Sequence, residues 1–199
     1  MTPMFGIIAS QISGRLSTAA YDSIATVTLS STAATVTFSS IPSTYKHLEI
    51  RSIGRIGSAN YGPGEFYMRF NSDTNYSNYY GHYFQAGGPT PSTGSGPAPA
   101  GSNATGLQIG MGTGGSASAS LLGAGVTTIL DYANTNKYKT SANLAGADFN
   151  GAPGGTGGYI TFDSGVWMST AAITRIDIQS FGATAFQAPT QFALYGIKG

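Results

Sequence analysis

The stretch EFYMRFN at residues 65–71 decides the fold class, because apolar and polar side chains alternate along it. Phe66, Met68 and Phe70 fall on one phase, whereas Tyr67 and Arg69 fall on the other. Successive side chains of a β-strand point to opposite faces of the sheet, so this pattern predicts a strand with one buried face and one wet face. The segment IDIQ at 176–179 repeats it.

Alternation with a period of two recurs along the chain, and no window of helix length carries an apolar stripe at i, i+3 and i+4. The predicted strands lie at 23–29, 34–38, 47–56, 65–71, 79–84, 107–111, 126–132, 138–147, 159–168, 173–180 and 191–197. The first two are expected to form a hairpin. About ten short strands without crossover helices favour an all-β fold, an antiparallel β-sandwich with jelly-roll-like order, and a barrel is the alternative.

Two segments differ in composition from the rest of the predicted sandwich domain at 20–199. Residues 1–19 precede the first strand and carry a short apolar cluster formed by Met4, Phe5, Ile7 and Ile8. We expect an extended N-terminal arm that either anchors in a neighbouring subunit or folds onto its own domain. Residues 86–105 are rich in Gly and Pro, which disfavour helix and sheet hydrogen bonds, so a long excursion loop is predicted there.

The composition excludes several classes of protein. Charged residues are only 9% of the 199, and 12 Tyr and 10 Phe accompany a net charge of +1, which is unlike a disordered chain. The nine Lys and Arg are scattered singly, whereas nucleic-acid binding needs them clustered. The N-terminal MTPMFGIIASQISGRL lacks a basic start and a long apolar run, so neither a signal peptide nor membrane insertion is expected.

The residues that carry most enzyme and metal chemistry are scarce. The absence of cysteine removes disulfides, zinc ribbons and thiol nucleophiles, and it fits assembly in a reducing cell. His47 and His82 are the only histidines, and neither lies in a catalytic motif. Several of the eight acids fall on the polar phase of strands, as a solvated face would. We therefore predict no catalytic residue, no metal and no cofactor.

One short segment has a partial metal-binding pattern. Residues 71–75 (NSDTN) have the oxygen spacing of the first half of a calcium loop, but Tyr76 occupies the position of the turn glycine. No glutamate follows at the twelfth position. A turn built by Asn and Asp explains the segment better than a calcium site does.

An aromatic run at 76–84 is the strongest candidate for a binding surface. The predicted outward aromatic surface comprises Tyr76, Tyr79, Tyr80, His82 and Tyr83. Exposed tyrosines in a chain of low charge suit protein interfaces and sugar stacking. The alternative is that these rings belong to the sandwich core and its border.

Four stretches together resemble a family of small structural proteins of tailed-bacteriophage virions, of the tail appendage or head decoration type. They are SIPSTYKHLEIR at 40–51, RFNSD at 69–73, DYANTNKYK at 131–139 and FALYGIK at 192–198. The resemblance extends from about residue 7 to the end of the chain. These motifs describe the fold rather than a site, so the resemblance brings no binding residue.

The resemblance implies a non-enzymatic virion protein that is assembled in the cytoplasm of the host bacterium. The leading prediction is a fibre-type component of a tail or baseplate appendage that contacts a glycan or a protein of the host surface. The alternative is a capsid decoration (cement) protein that stabilises the head shell. Both predict docking onto other virion proteins and self-association, and a trimer would suit a small sandwich with several faces to present.

Overall fold

Strands form wherever large side chains recur at every second position. The computed structural model describes residues 20–58, 63–87, 90–97, 106–115, 117–149 and 157–199, and within these ranges it contains twelve strands and two three-residue 3-10 turns. The strands are β1 (Tyr21–Thr28), β2 (Thr35–Phe38), β3 (His47–Ile56), β4 (Pro63–Phe70), β5 (Tyr79–Gly87), β6 (Thr90–Pro97), β7 (Leu107–Thr113), β8 (Gly123–Leu130), β9 (Lys139–Asp148), β10 (Gly158–Trp167), β11 (Ile176–Ser180) and β12 (Phe186–Ile197). The all-β class is confirmed. No helix in these ranges is long and apolar enough to cross a membrane.

The strands form two layers that are joined at β3. The larger layer has the order β1-β12-β3-β8-β9-β10-β5-β6, and the smaller layer has the order β2-β11-β4-β7. The described pairings within each layer are antiparallel. A single parallel pairing, Arg55 of β3 with Thr113 of β7, links the layers. The arrangement is sandwich-like, whereas the predicted jelly-roll order is not confirmed.

The two layers approach most closely where β7 crosses the face of β8. Thr127 Oγ1 of β8 donates a hydrogen bond to the carbonyl oxygen of Ile109 in β7 at 2.9 Å. A Cβ atom at Gly123 would lie 1.9 Å from the carbonyl oxygen of Met111, and one at Gly125 would lie 3.0 Å from that of Ile109. Only glycine leaves room for so close an approach, so these two residues set the separation of the layers.

The apolar core is built around three phenylalanine rings. Phe66, Phe186 and Phe192 are fully buried, and their rings meet edge to face with centroids 5.2–5.7 Å apart. Such aromatic pairs contribute about 0.5–1.5 kcal/mol beyond the burial of their area. Met68 and Phe70 are also fully buried, which confirms the inward phase predicted for this strand.

The predicted strands lie close to observed strands in the sequence, but the one pairing predicted between two strands is wrong. The segment 47–56 matches β3 residue for residue. The hairpin expected between 23–29 and 34–38 is wrong, because β1 pairs with β12 and β2 pairs with β11. Alternation identifies the buried face of a strand and says nothing about which strand lies beside it.

The excursion loop predicted at 86–105 is wrong for its first half. Residues 90–97 form β6, which pairs antiparallel with β5. β6 is the outermost strand of its layer, and an edge strand tolerates proline because one side of it needs no N–H donor. Residues 98–105 lie outside the described part of the chain, as does the predicted arm at 1–19 with Met4, Phe5, Ile7 and Ile8.

The layer contact makes a testable prediction about stability. Gly123→Ala should lower the free energy of unfolding by about 3 kcal/mol or more, because the new methyl group would overlap backbone that cannot move aside cheaply. The matched control is Gly157→Ala, since a Cβ atom there meets no atom within 4 Å. Urea unfolding followed by tryptophan fluorescence would measure both. Equal stability of the two variants would contradict a tight contact at Gly123.

Candidate functional site

The residues of the predicted outward aromatic surface are not all on the surface of the protein. Tyr79 is fully buried, which corrects its assignment to that surface. Its ring packs against Phe70 and Trp167, and its hydroxyl accepts a hydrogen bond from the Phe70 N–H at 3.0 Å and donates one to the Asp73 carbonyl at 3.2 Å. The start of β5 therefore belongs to the core.

The other members of that surface are exposed. Tyr76 is 46% exposed in the 3-10 turn before β5, and Tyr80 and Tyr83 are 38% and 39% exposed. His82 is also exposed. Tyr80 and His82 lie on one side of β5, whereas Tyr83 lies on the other. These residues therefore serve two separate surfaces.

A cleft of about 270 Å³ opens on the Tyr83 side. It lies between β10, β5 and β6 of the larger layer and β4 and β7 of the smaller one. Its lining residues are Glu65, Tyr67, Gly81, His82, Tyr83, Gln85, Ser95, Gly96, Gly106, Leu107, Gln108, Asp163, Ser164 and Gly165. Among the described residues of the lining there are two carboxyl groups and no Lys or Arg, so this lining is acidic.

Tyr83 is held in place on the wall of this cleft by a glycine on the neighbouring strand. Tyr83 of β5 pairs with Gly94 of β6, and a Cβ atom at Gly94 would lie 2.6 Å from three atoms of the tyrosine side chain. The ring therefore rests directly against the backbone of β6. An aromatic ring fixed in this way presents a ready platform for a ligand.

Asp163 lies at the end of a polar row that crosses the inner face of the larger layer. The polar row is Thr127, Asn143 and Asp163, which are register partners on β8, β9 and β10. Thr127 Oγ1 shares its single proton between the Ile109 carbonyl oxygen and Asn143 Oδ1 at 3.0 Å, and Asn143 Nδ2 donates to Asp163 Oδ2 at 2.7 Å. Burial raises the pKa of Asp163 to about 6, and the charge of Glu65 adds to this rise against the opposing hydrogen bonds from Asn143 and Thr161.

The opposite wall of the cleft carries a second carboxyl and a buried amide. Tyr67 Oη donates to Glu65 Oε2 at 2.8 Å, and burial together with the Glu65 charge raises the pKa of Tyr67, so the phenol stays protonated. Gln108, the register partner of Tyr67 on β7, has a buried Nε2 with no hydrogen-bond partner in the described part of the protein. Buried donors are normally satisfied, so this unpaired nitrogen is an exception among the described residues, and it is enclosed by protein rather than exposed to the cleft.

These groups can do two kinds of chemistry. A carboxyl that titrates near pH 6 beside a second carboxyl is an arrangement used in acid–base catalysis. The same oxygens, with an aromatic ring beside them, are also the usual set for binding a ligand rich in hydroxyl groups. Glu65 and Asp163 come from distant strands, so only the fold brings them together.

The opposite side of the same strands forms an outer apolar face. Phe84, Phe162, Leu144 and Val126 are register partners on β5, β10, β9 and β8. Their exposed fractions are 50%, 55%, 45% and 44%. Ile160, two residues from Phe162 on β10, adds to the face and is 47% exposed. In the middle of these strands the large side chains thus point to water while the polar row points inward, whereas Tyr79, Ile129 and Trp167 at the strand ends are buried.

The segment 71–75 forms a turn whose oxygens are already used. Asp73 Oδ1 accepts from the Asn75 N–H, and Asp73 Oδ2 accepts from Trp167 Nε1 and Asn78 Nδ2, all at 2.8–2.9 Å. Asn71 Oδ1 accepts from two backbone N–H groups near β11. Within the described ranges no group of three or more His, Cys, Asp or Glu could hold a metal ion.

His47 has a local structural contact. Its Nδ1 accepts a hydrogen bond from the Asp131 N–H at 2.9 Å, which joins the start of β3 to the turn after β8. Asp131 itself pairs with Lys46 and Lys137. His47 therefore has a structural role. His82 borders the cleft at the strand position next to Tyr83, and its side chain lies on the other side of β5.

Comparison of the chain with protein-family models, with curated proteins and with solved structures found no match in any of the three. The likeness to phage virion proteins thus rests on the four sequence stretches alone and stays a prediction.

The environment of Asp163 predicts a pH dependence of stability. An unfolded Asp titrates near pH 3.9, so an acid whose folded pKa is about 6 holds its proton more tightly when folded. The contribution of Asp163 to the free energy of unfolding is greatest below about pH 4. As the pH rises to about 6 and above, the free energy of unfolding falls by about 2 kcal/mol through loss of this contribution. In Asp163→Asn this loss should disappear.

Urea unfolding of the wild type and of Asp163→Asn at half-unit steps from pH 4 to pH 7.5 would measure this effect. Taking the difference between the two proteins at each pH cancels the other titrating groups, including Asp131, whose pKa is lowered to about 2 by Lys137 and Lys46. A difference that stays constant over the whole range would contradict a raised pKa at Asp163.

Proposed function

We propose that this chain is a non-enzymatic structural protein of a tailed-bacteriophage virion, a fibre-type component of a tail or baseplate appendage that assembles as a homo-oligomer and contacts the host surface. The resemblance of the four sequence stretches supplies the class of protein. The outer apolar face is the observation that supports assembly most directly. On this proposal the chain also binds other virion proteins.

The size of the outer apolar face favours burial by a neighbour. Its four register-paired side chains keep 44–55% of their surface in water, which is roughly 300 Å² of apolar area. Exposed apolar patches of this order are often interaction sites on soluble proteins. The four register partners are uncharged, and the next partner along the row, Arg51 of β3, already pairs with Glu49. Burial of the four side chains against a second copy therefore desolvates no unpaired ion.

The inverted polarity of β8, β9 and β10 favours the same conclusion. A strand with one wet face normally turns its large apolar side chains inward. Here the polar row in the middle of the strands faces inward while its apolar neighbours Val126, Leu144 and Phe162 face outward, so the middle of each strand is suited to burial on both sides. A second copy placed over the outer apolar face supplies the missing layer.

The position of the cleft supports host contact by the other side of these strands. The outer apolar face and Tyr83 lie on opposite sides of β5 and β10. Docking through the outer apolar face therefore leaves the cleft open to a ligand. A capsid decoration protein could dock through the same face, and the place of the chain in the particle separates the two roles.

The assembly step is tested by two substitutions in the outer apolar face. The wild type should elute as a homo-oligomer, and the double variant Phe84→Ser, Phe162→Ser should fall to the mass of a monomer because the apolar contact is lost. Phe181→Ser is the matched control, since its ring is 42% exposed but follows β11 of the smaller layer. Light scattering after size-exclusion chromatography would give the masses, and circular dichroism would confirm folding.

A monomeric wild type at concentrations of tens of micromolar would contradict the assembly proposal. So would a folded double variant that keeps the wild-type mass.

The place in the particle is tested by a reconstruction of the virion that carries this chain. Density for the chain at the tail or baseplate is the expected result. Density on the head shell alone would overturn the appendage role and support the capsid decoration role. The absence of the chain from purified particles would overturn both.

A further inference from the structure

We propose that the cleft is a binding site for a single uncharged sugar ring of a surface saccharide, and that it rejects acidic sugars. The proposal deepens the host contact inferred above and rests on it for the origin of the saccharide. Four features carry it: the size of the cleft, its glycine floor, the tyrosine platform and the polar groups of its walls.

The size of the cleft limits the ligand. Sites for small molecules usually enclose about 300–1,000 Å³, and this cleft of about 270 Å³ is just below that range. It suits one compact ring with its substituents. A peptide side chain would also fit by size, so the choice of ligand depends on the chemistry of the walls.

Three glycines form the floor of the cleft, and its backbone is bare at Gly81 and Gly96 but covered by the Leu107 side chain at Gly165. Gly81 of β5 pairs with Gly96 of β6, and Gly81 also pairs with Gly165 of β10. A Cβ atom at Gly96 would meet no atom within 4 Å, so the space above this residue is open. Glycine at such positions lets a ligand approach the backbone closely.

The platform beside this floor is the ring of Tyr83. It is 39% exposed, and its contact with Gly94 fixes its position before any ligand arrives. A flat aromatic surface pairs well with the apolar C–H face of a sugar ring, and its fixed position reduces the entropy lost on binding. An aliphatic side chain would not use both this platform and the polar walls.

The walls supply acceptors for hydroxyl groups. Glu65 and Asp163 offer carboxyl oxygens from opposite walls. A hydroxyl group donates to such oxygens, and a sugar ring carries several hydroxyl groups, so one ring can engage both walls.

The charge of the walls selects against acidic sugars. The described lining residues include Glu65 and Asp163 but no Lys or Arg. A carboxylate or phosphate on the ligand would meet like charge and find no cation to pair with. Neutral hexoses and their N-acetylated forms therefore fit the site, whereas uronic and sialic acids do not.

The test uses a glycan array that displays neutral saccharides and their uronic acid counterparts, followed by calorimetric titration with the methyl glycoside of the best neutral sugar. The wild-type protein should bind neutral sugars at least tenfold more tightly than the matched acidic ones. Tyr83→Ala should weaken this binding at least tenfold through loss of the platform.

Gly96→Val is the sharper variant, because a Cβ atom at this position would enter the cleft and meet no atom of the described residues within 4 Å. It should abolish binding and leave thermal stability close to that of the wild type. Gly157→Val is the matched control, since a Cβ atom there also meets nothing within 4 Å and the residue lies outside the cleft lining. It should bind like the wild type.

Several results would overturn the proposal: no binding to any neutral sugar, equal binding of neutral and acidic sugars, or full binding by folded Gly96→Val. The appendage role is tested separately, by the location of the chain in the particle. A chain located on the tail that binds no sugar would overturn only the cleft assignment, and a sugar-binding chain located on the shell would overturn only the appendage role. Release of reducing sugar from a bound disaccharide would support the cleft and overturn the non-enzymatic assignment.

Discussion

The close approach of β7 to β8 is the contact on which the rest of this structure depends. Without side chains at Gly123 and Gly125, the two backbones come within reach of a hydrogen bond from Thr127 to Ile109. That contact fixes the height of the smaller layer above the larger one. It brings Glu65, Tyr67 and Gln108 to one side of the cleft, opposite Asp163 and Tyr83. A wider spacing would separate these groups and leave an open groove.

The strands β8, β9, β10 and β5 combine two kinds of surface. Their inner side meets β7 so closely that small and polar side chains fill it, and the polar row satisfies its own hydrogen bonds. Their outer side carries the large apolar side chains that an isolated sandwich would keep inside. Both proposed interactions, assembly through the outer apolar face and sugar binding in the cleft, follow from this single inversion.

Much of the fold could be predicted from the alternation of side chains, and much of the site could not. The pattern at 65–71 gave the correct buried phase, and β3 was predicted to the residue. The same rule misassigns β10, where Thr161 is buried and Phe162 is 55% exposed, because alternation cannot tell which side of a strand another layer will cover. For the same reason, alternation could not predict the strands that pair with β1 and β2.

Glu65 and Asp163 are brought to one cleft only by the contact between the layers, so their spacing in the sequence did not indicate a shared site. Two signals were readable: polar Asn143 and Asp163, each beside a large apolar residue in its strand, and glycines at the alternate positions 94 and 96 of β6.

The absence of charge along the outer apolar face also determines which physical conditions would govern assembly. Contacts between ions weaken as mobile salt screens them over about 10 Å at 0.1 M, but burial of apolar surface has no such dependence. It weakens on cooling instead, and it strengthens in salts that are excluded from protein surfaces. A complex held by Phe84, Phe162, Leu144 and Val126 would therefore keep its strength from dilute buffer to brine, and cold rather than salt would loosen it.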